Sequence, residues 1–389
     1  MAAIVFAPLA APPQRLWPLL AGLGAMLLAG LAAAGFMETQ GHHVTGMTNR
    51  VVWGLPHVFA IFLILAASGV LNMASIASVF GRTDYKPLAP LSALLAIALL
   101  VGGLAILVLD LGRPDRLLVA VMNQNPRSIF AWNILLYTGF LVVVAGYLAT
   151  MLNRRLGRHG FRAGFTAFLW RLVLTTGTGC IFGFLAALAL FHSAIMAPLF
   201  IAMSLAFGLA VFILLLPVAA WLGGARPGPA LLQRLGRLLA IFVAASFYLA
   251  VVLHAGNLYA PGGRALERFL LLDGGVYPAL LWGGQVLVGT ALPLLLAFTG
   301  RPIAAAGSVV LGGLAQLYLL IIGGQAFPQD LLPGLRLQSS FGDGEVAAYV
   351  PSAPELLLGL GGVAIALLLA MLGCRLFRIL PTDLPEPAA

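Results

Sequence analysis

Charged residues are scarce in this chain: Asp, Glu, Lys and Arg together make up 8% of its 389 residues. An ordinary soluble domain carries about 25% charged residues. A soluble fold of this length needs a charged surface that this sequence cannot supply. With 61% hydrophobic residues and a mean hydropathy of +1.05, the chain is expected to be solvated by lipid.

Cysteine is nearly absent as well, since only Cys180 and Cys374 occur and both lie in apolar segments. An iron–sulfur cluster usually takes four cysteine thiolates, so the chain is not expected to ligate one itself. Two cysteines also exclude a disulfide framework. The net charge of +9 comes from arginines clustered in short loops, which indicates membrane topology rather than a nucleic-acid-binding face.

Apolar runs of about 20 residues, each long enough to cross a bilayer, recur along the chain. They predict an all-α integral membrane protein of about ten transmembrane helices, arranged as two four-helix bundles with a flanking helix at each end. The single polytopic domain spans residues 1–389, with a first helix at 17–37, a first bundle at 52–191, a second bundle at 195–327 and a last helix at 354–377. The segment His192–Ala197 is short and barely polar, and fusion of helices five and six there would leave nine spans.

The loops on one side of this arrangement hold about twice as many Lys and Arg residues as those on the other. The positive-inside rule therefore predicts a multi-pass protein of a bacterial cytoplasmic (inner) membrane with both termini in the cytoplasm. By this topology His42 and His43 lie in an outer loop.

Two ionisable residues at helix ends are the first candidates for function, because such groups are costly within a membrane. His57 lies near the start of the second helix and Asp110 at the end of the third. Antiparallel neighbours would bring both to the outer side, where a His–carboxylate pair can exchange protons with a quinol. The alternatives are an interfacial belt role for His57 and a structural pairing of Asp110 with Arg113.

Polar residues also share one face on each of two other helical stretches. The second helix carries Ser68, Asn72 and Ser75, and the fifth carries Arg171, Thr175 and Thr178. Hydrogen bonding between helices is the favoured interpretation. The alternative is a water-lined proton path that leads from the cytoplasm toward His57.

Four stretches resemble the NrfD/polysulfide reductase membrane-subunit family, in its ten-helix branch. They are Thr45–His57 (TGMTNRVVWGLPH), Asp110–Pro114 (DLGRP), Phe130–Asn133 (FAWN) and Tyr349–Glu355 (YVPSAPE). Within that branch the chain most resembles the P subunit (DsrP) of the sulfite-reductase-associated transmembrane complex of sulfur-metabolising bacteria.

The resemblance implies a quinone-interacting membrane anchor subunit of a respiratory or sulfur-metabolism redox complex, rather than an enzyme acting alone. Menaquinone or ubiquinone would be the substrate, with no haem or iron–sulfur cluster in this chain. Electrons would pass to or from a ferredoxin-like iron–sulfur subunit on the periplasmic side, in a complex with further cytochrome and membrane subunits. Nucleic acid is not expected as a partner.

The resemblance also implies a set of site residues. The quinone site would comprise Trp53, His57, Asp110, Arg113 and Asn133. Within it, His57 matches the quinone-site histidine of the family, and Asp110 matches the acidic residue of the loop motif. At one position the chain departs from the pattern, because Gly54 replaces a quinone-site Asn, and Trp53 or Asn133 would compensate.

Two other functions remain as alternatives. A secondary transporter would carry charges at the membrane midplane, whereas the ionisable groups here lie mainly toward the outer side. A b-type cytochrome would hold haem between outer-side histidines such as His192 and His254. A second, inner-side pair of helical histidines would normally be needed, and His159 is the only histidine predicted on the inner side.

Overall fold

The computed structural model describes residues 5–185, 187–223, 227–328 and 344–382. Within these residues ten helices are long and apolar enough to cross a membrane. They are α1 (Pro13–Gln40), α2 (Leu55–Ser78), α3 (Thr83–Leu109), α4 (Ile129–Leu152), α5 (Gly157–Gly183), α6 (Met196–Gly223), α7 (Pro229–Tyr259), α8 (Val276–Phe298), α9 (Pro302–Ala326) and α10 (Ala353–Leu376). The predicted all-α membrane class and the count of ten are therefore confirmed for the described part of the chain.

The boundary between the fifth and sixth helices is a real break. Helix α5 ends at Gly183, well before the predicted end at Phe191, and α6 begins at Met196. The described part of the connection folds as turns and bends, in which Phe191 is buried and His192 is exposed. The prediction extended helix five too far because an apolar run alone does not distinguish a helix from a buried connection.

Eight of the helices form two closed rings. In the first ring α2 contacts α3, α3 contacts α4, α4 contacts α5, and α5 returns to α2; α6 to α9 close a second ring in the same way. The rings meet chiefly where α2 packs on α6. Outside them α1 packs on α10, which in turn covers α3 and α2.

Glycines allow α2 and α6 to approach closely. A Cβ atom on Gly69 of α2 would overlap the carbonyl oxygen of Ser204, and one on Gly208 of α6 would overlap the backbone of Gly69. Close backbone contact through small residues is the usual way in which membrane helices pack, because lipid supplies no hydrophobic drive between them.

A two-stranded ribbon joins the ends of the chain. Strand β1 (Phe6–Ala7) pairs antiparallel with β2 (Leu380–Pro381), with Phe6 opposite Pro381. Both strands therefore lie at one end of the helices, which we call the terminal face. The other end, called the opposite face, holds the start of α2 and the end of α3.

Short helical segments lie between or within the long helices. Those in the connections at the opposite face are His42–Val44, Pro114–Arg116, Leu117–Met122, Pro261–Gly263, Arg264–Arg268 and Phe269–Asp273. Within the long helices, π-helical stretches occupy Leu280–Ala291 of α8 and Leu319–Gly323 of α9.

Candidate functional site

A cavity of about 480 Å³ opens at the opposite face of the first helix ring. Apolar side chains of α2, α3, α4 and α5 form most of its wall. The polar and aromatic side chains among its lining are Trp53, His57, Asp110, Phe130, Asn133, Tyr137, Thr138 and Phe182. Four of the five predicted site residues thus line one cavity, whose size is that of an ordinary small-molecule pocket.

His57 and Asp110 meet at this cavity. His57 lies in the first turn of α2, which begins at Leu55–Pro56, and Asp110 directly follows the last residue of α3. His57 Nδ1 is 3.0 Å from Asp110 Oδ2, although the angles at these atoms are not those of a hydrogen bond. The Asp110 side chain is 1% exposed. A buried carboxylate without hydrogen bonds is costly unless a positive charge or a proton accompanies it, so the pair is suited to carrying one proton.

A second imidazole approaches Asp110 from the other side. His42 Nε2 lies 3.1 Å from the backbone oxygen of Asp110 and 3.8 Å from its Oδ1 atom. The left-handed Gly112, with φ of +68°, makes room for this ring, because a Cβ on Gly112 would lie 3.1 Å from His42 Cε1. The sequence places His42 in the connection before α2, at the same end of the helices as His57 and Asp110, but no sequence pattern indicates that this connection folds back onto Asp110.

Trp53 lies at the centre of an aromatic cluster in the cavity wall. Its ring centroid is 6.1 Å from that of His57, and Phe130, Phe182 and Phe191 surround it at 5.6 to 6.1 Å. Such an arrangement offers a flat apolar surface beside the His57 imidazole.

Of the other two predicted site residues, Asn133 lines the cavity and Arg113 does not. Arg113 does not line the cavity; its side chain is largely exposed, and its Nε atom is 3.4 Å from Asp115 Oδ1. The turn at Gly112 directs it outward, so the alternative pairing with Asp110 is not found among the described residues. A quinone-binding role for Arg113 stays a prediction. Asn133 does line the cavity, but its Nδ2 atom donates to the carbonyl oxygens of Ile129 and Gly177. That amide therefore links α4 to α5.

Comparison with known proteins identifies the family. Residues 43–329 match the family model described as polysulphide reductase, NrfD. This is well over half of the chain, and it includes the cavity and both helix rings. The chain belongs to the NrfD family.

Three relatives match most of this NrfD chain. It is 29% identical over 373 residues to the Hdr-like menaquinol oxidoreductase integral membrane subunit of Archaeoglobus fulgidus, with 92% of this chain and 93% of the relative covered. It is 27% identical to a putative dimethyl sulfoxide reductase membrane subunit of Halobacterium salinarum, with 94% and 92% covered. It is 23% identical to a selenate reductase subunit of Mesobacillus selenatarsenatis, with 79% and 82% covered. All three relatives are thus named as subunits of oxidoreductases, although the named oxidoreductases differ.

The peptide that carries Trp53 is held by a glutamine from the second ring. Gln325 of α9 accepts hydrogen bonds from the backbone N–H groups of Val52 and Trp53 through Oε1 and donates to the Trp53 carbonyl oxygen through Nε2, at 3.0 to 3.1 Å. Sequence reasoning missed Gln325, because no local pattern indicates a contact across 272 positions.

A buried glutamate holds the adjoining peptide of this NrfD chain. Glu355, at the start of α10, accepts from the backbone N–H of Gly46 at 3.0 Å and from the hydroxyl of Tyr349 at 2.6 Å. Tyr349 in turn accepts from the backbone N–H of Leu55 at 2.6 Å. A Cβ atom on Gly54 would overlap Glu355 Oε1. The departure from the family pattern at Gly54 thus has a steric reason.

Part of the signal for Glu355 is local. Ser352 and Glu355 form a capping box, in which each side chain bonds the backbone N–H of the other. That pattern can be read from the sequence as a helix start, but it does not reveal the contacts with Gly46 and Tyr349.

The polar faces of α2 and α5 meet inside the first ring. Ser68 Oγ lies 2.6 Å from Thr175 Oγ1, and Arg171 Nη2 donates to Asn72 Oδ1 at 3.2 Å. Ser75 instead donates to the carbonyl of Leu71 in its own helix. These bonds join the helices, as the favoured interpretation predicts; the proton path stays a prediction.

The two histidines considered as haem ligands, His192 and His254, lie in different surroundings. His192 is exposed in the connection before α6. His254 of α7 pairs with the buried Glu267, at 2.7 Å between Nδ1 and Oε2. Among the described residues no group of three or more His, Cys, Asp and Glu side chains is arranged to hold a metal ion.

Proposed function

We propose that this protein is the quinone-reactive membrane subunit of an oxidoreductase complex, and that a quinone or quinol head group binds in the cavity beside His57 and Asp110. The observation that carries the proposal is the position of a buried, unbonded carboxylate next to an imidazole in the wall of an apolar cavity at one end of a membrane protein.

The cavity suits an amphipathic ligand with a planar head. Trp53 and the phenylalanines around it offer a surface for a flat ring, and the apolar side chains of α3 and α4 can accompany an isoprenoid tail. His57 faces Asp110 with Nδ1, which leaves Nε2 as its available nitrogen for a ligand hydroxyl or carbonyl. Quinol oxidation releases two protons, and a His–Asp pair can accept them one at a time.

We also propose an orientation in the membrane and a partner subunit for this protein. We infer a cytoplasmic terminal face and a periplasmic opposite face from the distribution of Lys and Arg. One relative is named a menaquinol oxidoreductase subunit, which favours menaquinone as the substrate. With two cysteines, in α5 and α10, the chain needs a separate one-electron carrier, and a ferredoxin-like iron–sulfur subunit at the opposite face fits that role. Membership in a sulfur-metabolism complex of the DsrP kind rests on the sequence resemblance.

Titration of tryptophan fluorescence with a 2-alkyl-4-hydroxyquinoline N-oxide, a quinol analogue, tests the site. His57→Ala is expected to raise the Kd of the analogue about tenfold or more, because it removes the nitrogen proposed to bond the head group, in a charge-assisted hydrogen bond worth about 1.5–3 kcal/mol. Asp110→Asn is expected to raise the Kd as well, because it removes the carboxylate that would stabilise a protonated His57. In the assembled complex the same variants should lower quinol turnover by roughly 10² or more.

His254→Ala is the matched control. It removes a histidine that is also paired with a buried carboxylate near the opposite face, but in the second ring. Its Kd should equal that of the wild type. Wild-type affinity in both His57→Ala and Asp110→Asn would place the quinone elsewhere.

A further inference from the structure

We infer that His42 is a proton-relay residue that connects the buried Asp110 carboxyl group to the aqueous medium at the opposite face. The inference deepens the proposed function and rests on it, because it concerns the protons of the same quinone site. Its basis is the geometry of one carboxyl group held between two imidazoles, of which His57 lines the cavity and His42 does not.

The two histidines address different oxygens of Asp110. His57 Nδ1 lies 3.0 Å from Oδ2, whereas His42 Nε2 lies 3.8 Å from Oδ1. Neither carboxyl oxygen has a hydrogen bond within the described protein. A proton that reaches Oδ2 from the cavity side can therefore be carried toward His42 by rotation of the carboxyl group about its Cβ–Cγ bond, because no fixed donor holds either oxygen.

The two histidines are exposed on different sides of Asp110. The His57 side chain is 23% exposed and lines the cavity, the Asp110 side chain is 1% exposed, and the His42 side chain is 30% exposed without lining the cavity. Asp110 is thus shielded from water and needs a neighbour to exchange protons with it. Within the described residues His42 is the exposed ionisable side chain that approaches Asp110 from outside the cavity.

The position of the His42 ring corresponds to one stage of proton transfer. With a carbonyl oxygen at 3.1 Å, Nε2 must carry a hydrogen, so the neutral imidazole has its lone pair on Nδ1. This is the tautomer left after a proton has entered at Nε2 and another has departed from Nδ1 to water. Before Nε2 can accept a proton from Oδ1, His42 must exchange its Nε2 hydrogen for one on Nδ1 through solvent. The ring must also move about 1 Å closer to Oδ1, into hydrogen-bond range.

One quinol gives one quinone, two electrons and two protons. The electrons leave one at a time to the iron–sulfur carrier of the partner subunit. Each proton passes from the quinol hydroxyl to His57, then to Asp110, then to His42, and from there to water. Quinone reduction would use the same groups in the reverse order.

A purely structural role for His42 is the competing explanation, since its bond to the Asp110 carbonyl also fixes the end of α3. His42→Gln separates the two roles, because a glutamine amide can donate to that carbonyl but cannot carry a proton at neutral pH. His42→Ala removes both functions. His43→Ala is the matched control, because it changes the exposed neighbouring histidine that has no contact with Asp110.

The test uses the whole complex and measures quinol turnover, its solvent deuterium isotope effect and the Kd of the quinoline N-oxide. We expect His42→Ala and His42→Gln to lower turnover at least about tenfold and to raise the isotope effect, while the Kd changes less than about twofold. Added imidazole should restore turnover in His42→Ala, because the vacated position is partly exposed. His43→Ala should match the wild type.

Several outcomes would overturn the relay. Wild-type turnover in His42→Gln would show that the residue only positions α3, and so would failure of imidazole to restore His42→Ala. Equal losses in His43→Ala would show a general effect of the loop. If instead the wild type does not bind the analogue, the proposed quinone site fails, and this result is distinct from a relay defect with an intact Kd.

Discussion

Tyr349 lies outside the cavity, yet its hydroxyl links the first turn of α2 to the start of α10. It accepts a hydrogen bond from the Leu55 N–H and donates one to Glu355. Burial, together with the neighbouring Glu355 carboxyl group, raises the pKa of the Tyr349 hydroxyl. The hydroxyl therefore remains a donor over the neutral range. The stability that it contributes is fully present below the unfolded-state pKa of about 10 and is lost as the pH rises from there toward the raised folded-state pKa.

Tyr349→Phe is expected to lower the free energy of unfolding by about 1–3 kcal/mol, because it leaves the Leu55 N–H and one Glu355 oxygen without a partner. It should also weaken analogue binding, because Trp53 and His57 lie on either side of Leu55. Circular dichroism melts and the fluorescence titration measure the two effects. Tyr259→Phe, at a highly exposed position, serves as control. An unchanged melting curve and an unchanged Kd in Tyr349→Phe would show that the Leu55–Tyr349–Glu355 hydrogen bonds do not support the site.

Residue by residue, the sequence predicted the parts of the site that depend on helix order alone. His57 and Asp110 could be paired because antiparallel neighbours bring a helix start beside a helix end. The contacts of His42 and Gln325 could not be found, since they depend on how a loop folds and on which ring faces which. The outward direction of Arg113 could not be predicted for a similar reason: the left-handed turn at Gly112 decides it.

Among the helices, the crossing of α2 and α6 is the contact most sensitive to a single methyl group. Gly69→Ala would place a Cβ atom against the Ser204 carbonyl oxygen, and backbone on both sides limits any adjustment. We expect a loss of several kcal/mol of stability, as in other overpacked cores, and a lower midpoint in a tryptophan-fluorescence melt. Gly146→Ala in α4 is the control, because a Cβ there meets nothing within 4 Å. Equal midpoints for the two variants would show that α2 and α6 can move apart at this crossing without loss of stability.

Helix boundaries show where periodicity ceases to be informative. All ten helices could be found from apolar length, because lipid demands about 20 apolar residues per span. The end of α5 could not, because the residues after Gly183 are as apolar as those before it, and Phe191 among them is buried against Trp53 without being helical. In a membrane protein a buried connection and a helix have the same composition, so only the packing distinguishes them.

For the molecule as a whole, the β1–β2 ribbon places the first and last described segments of the chain at one face, whereas the side of the membrane to which that face belongs rests on the charge distribution. Single cysteines can decide it, because Cys180 and Cys374 are both buried and should react little. With a membrane-impermeant maleimide on intact cells, Met122→Cys and Tyr259→Cys at the opposite face should be labelled. Leu156→Cys, between α4 and α5 at the terminal face, should react only after the membrane is permeabilised. The reverse labelling pattern would show that the opposite face is cytoplasmic and the terminal face periplasmic. His42 would then exchange protons with the cytoplasm, and the electron-carrying partner would be expected on that side as well.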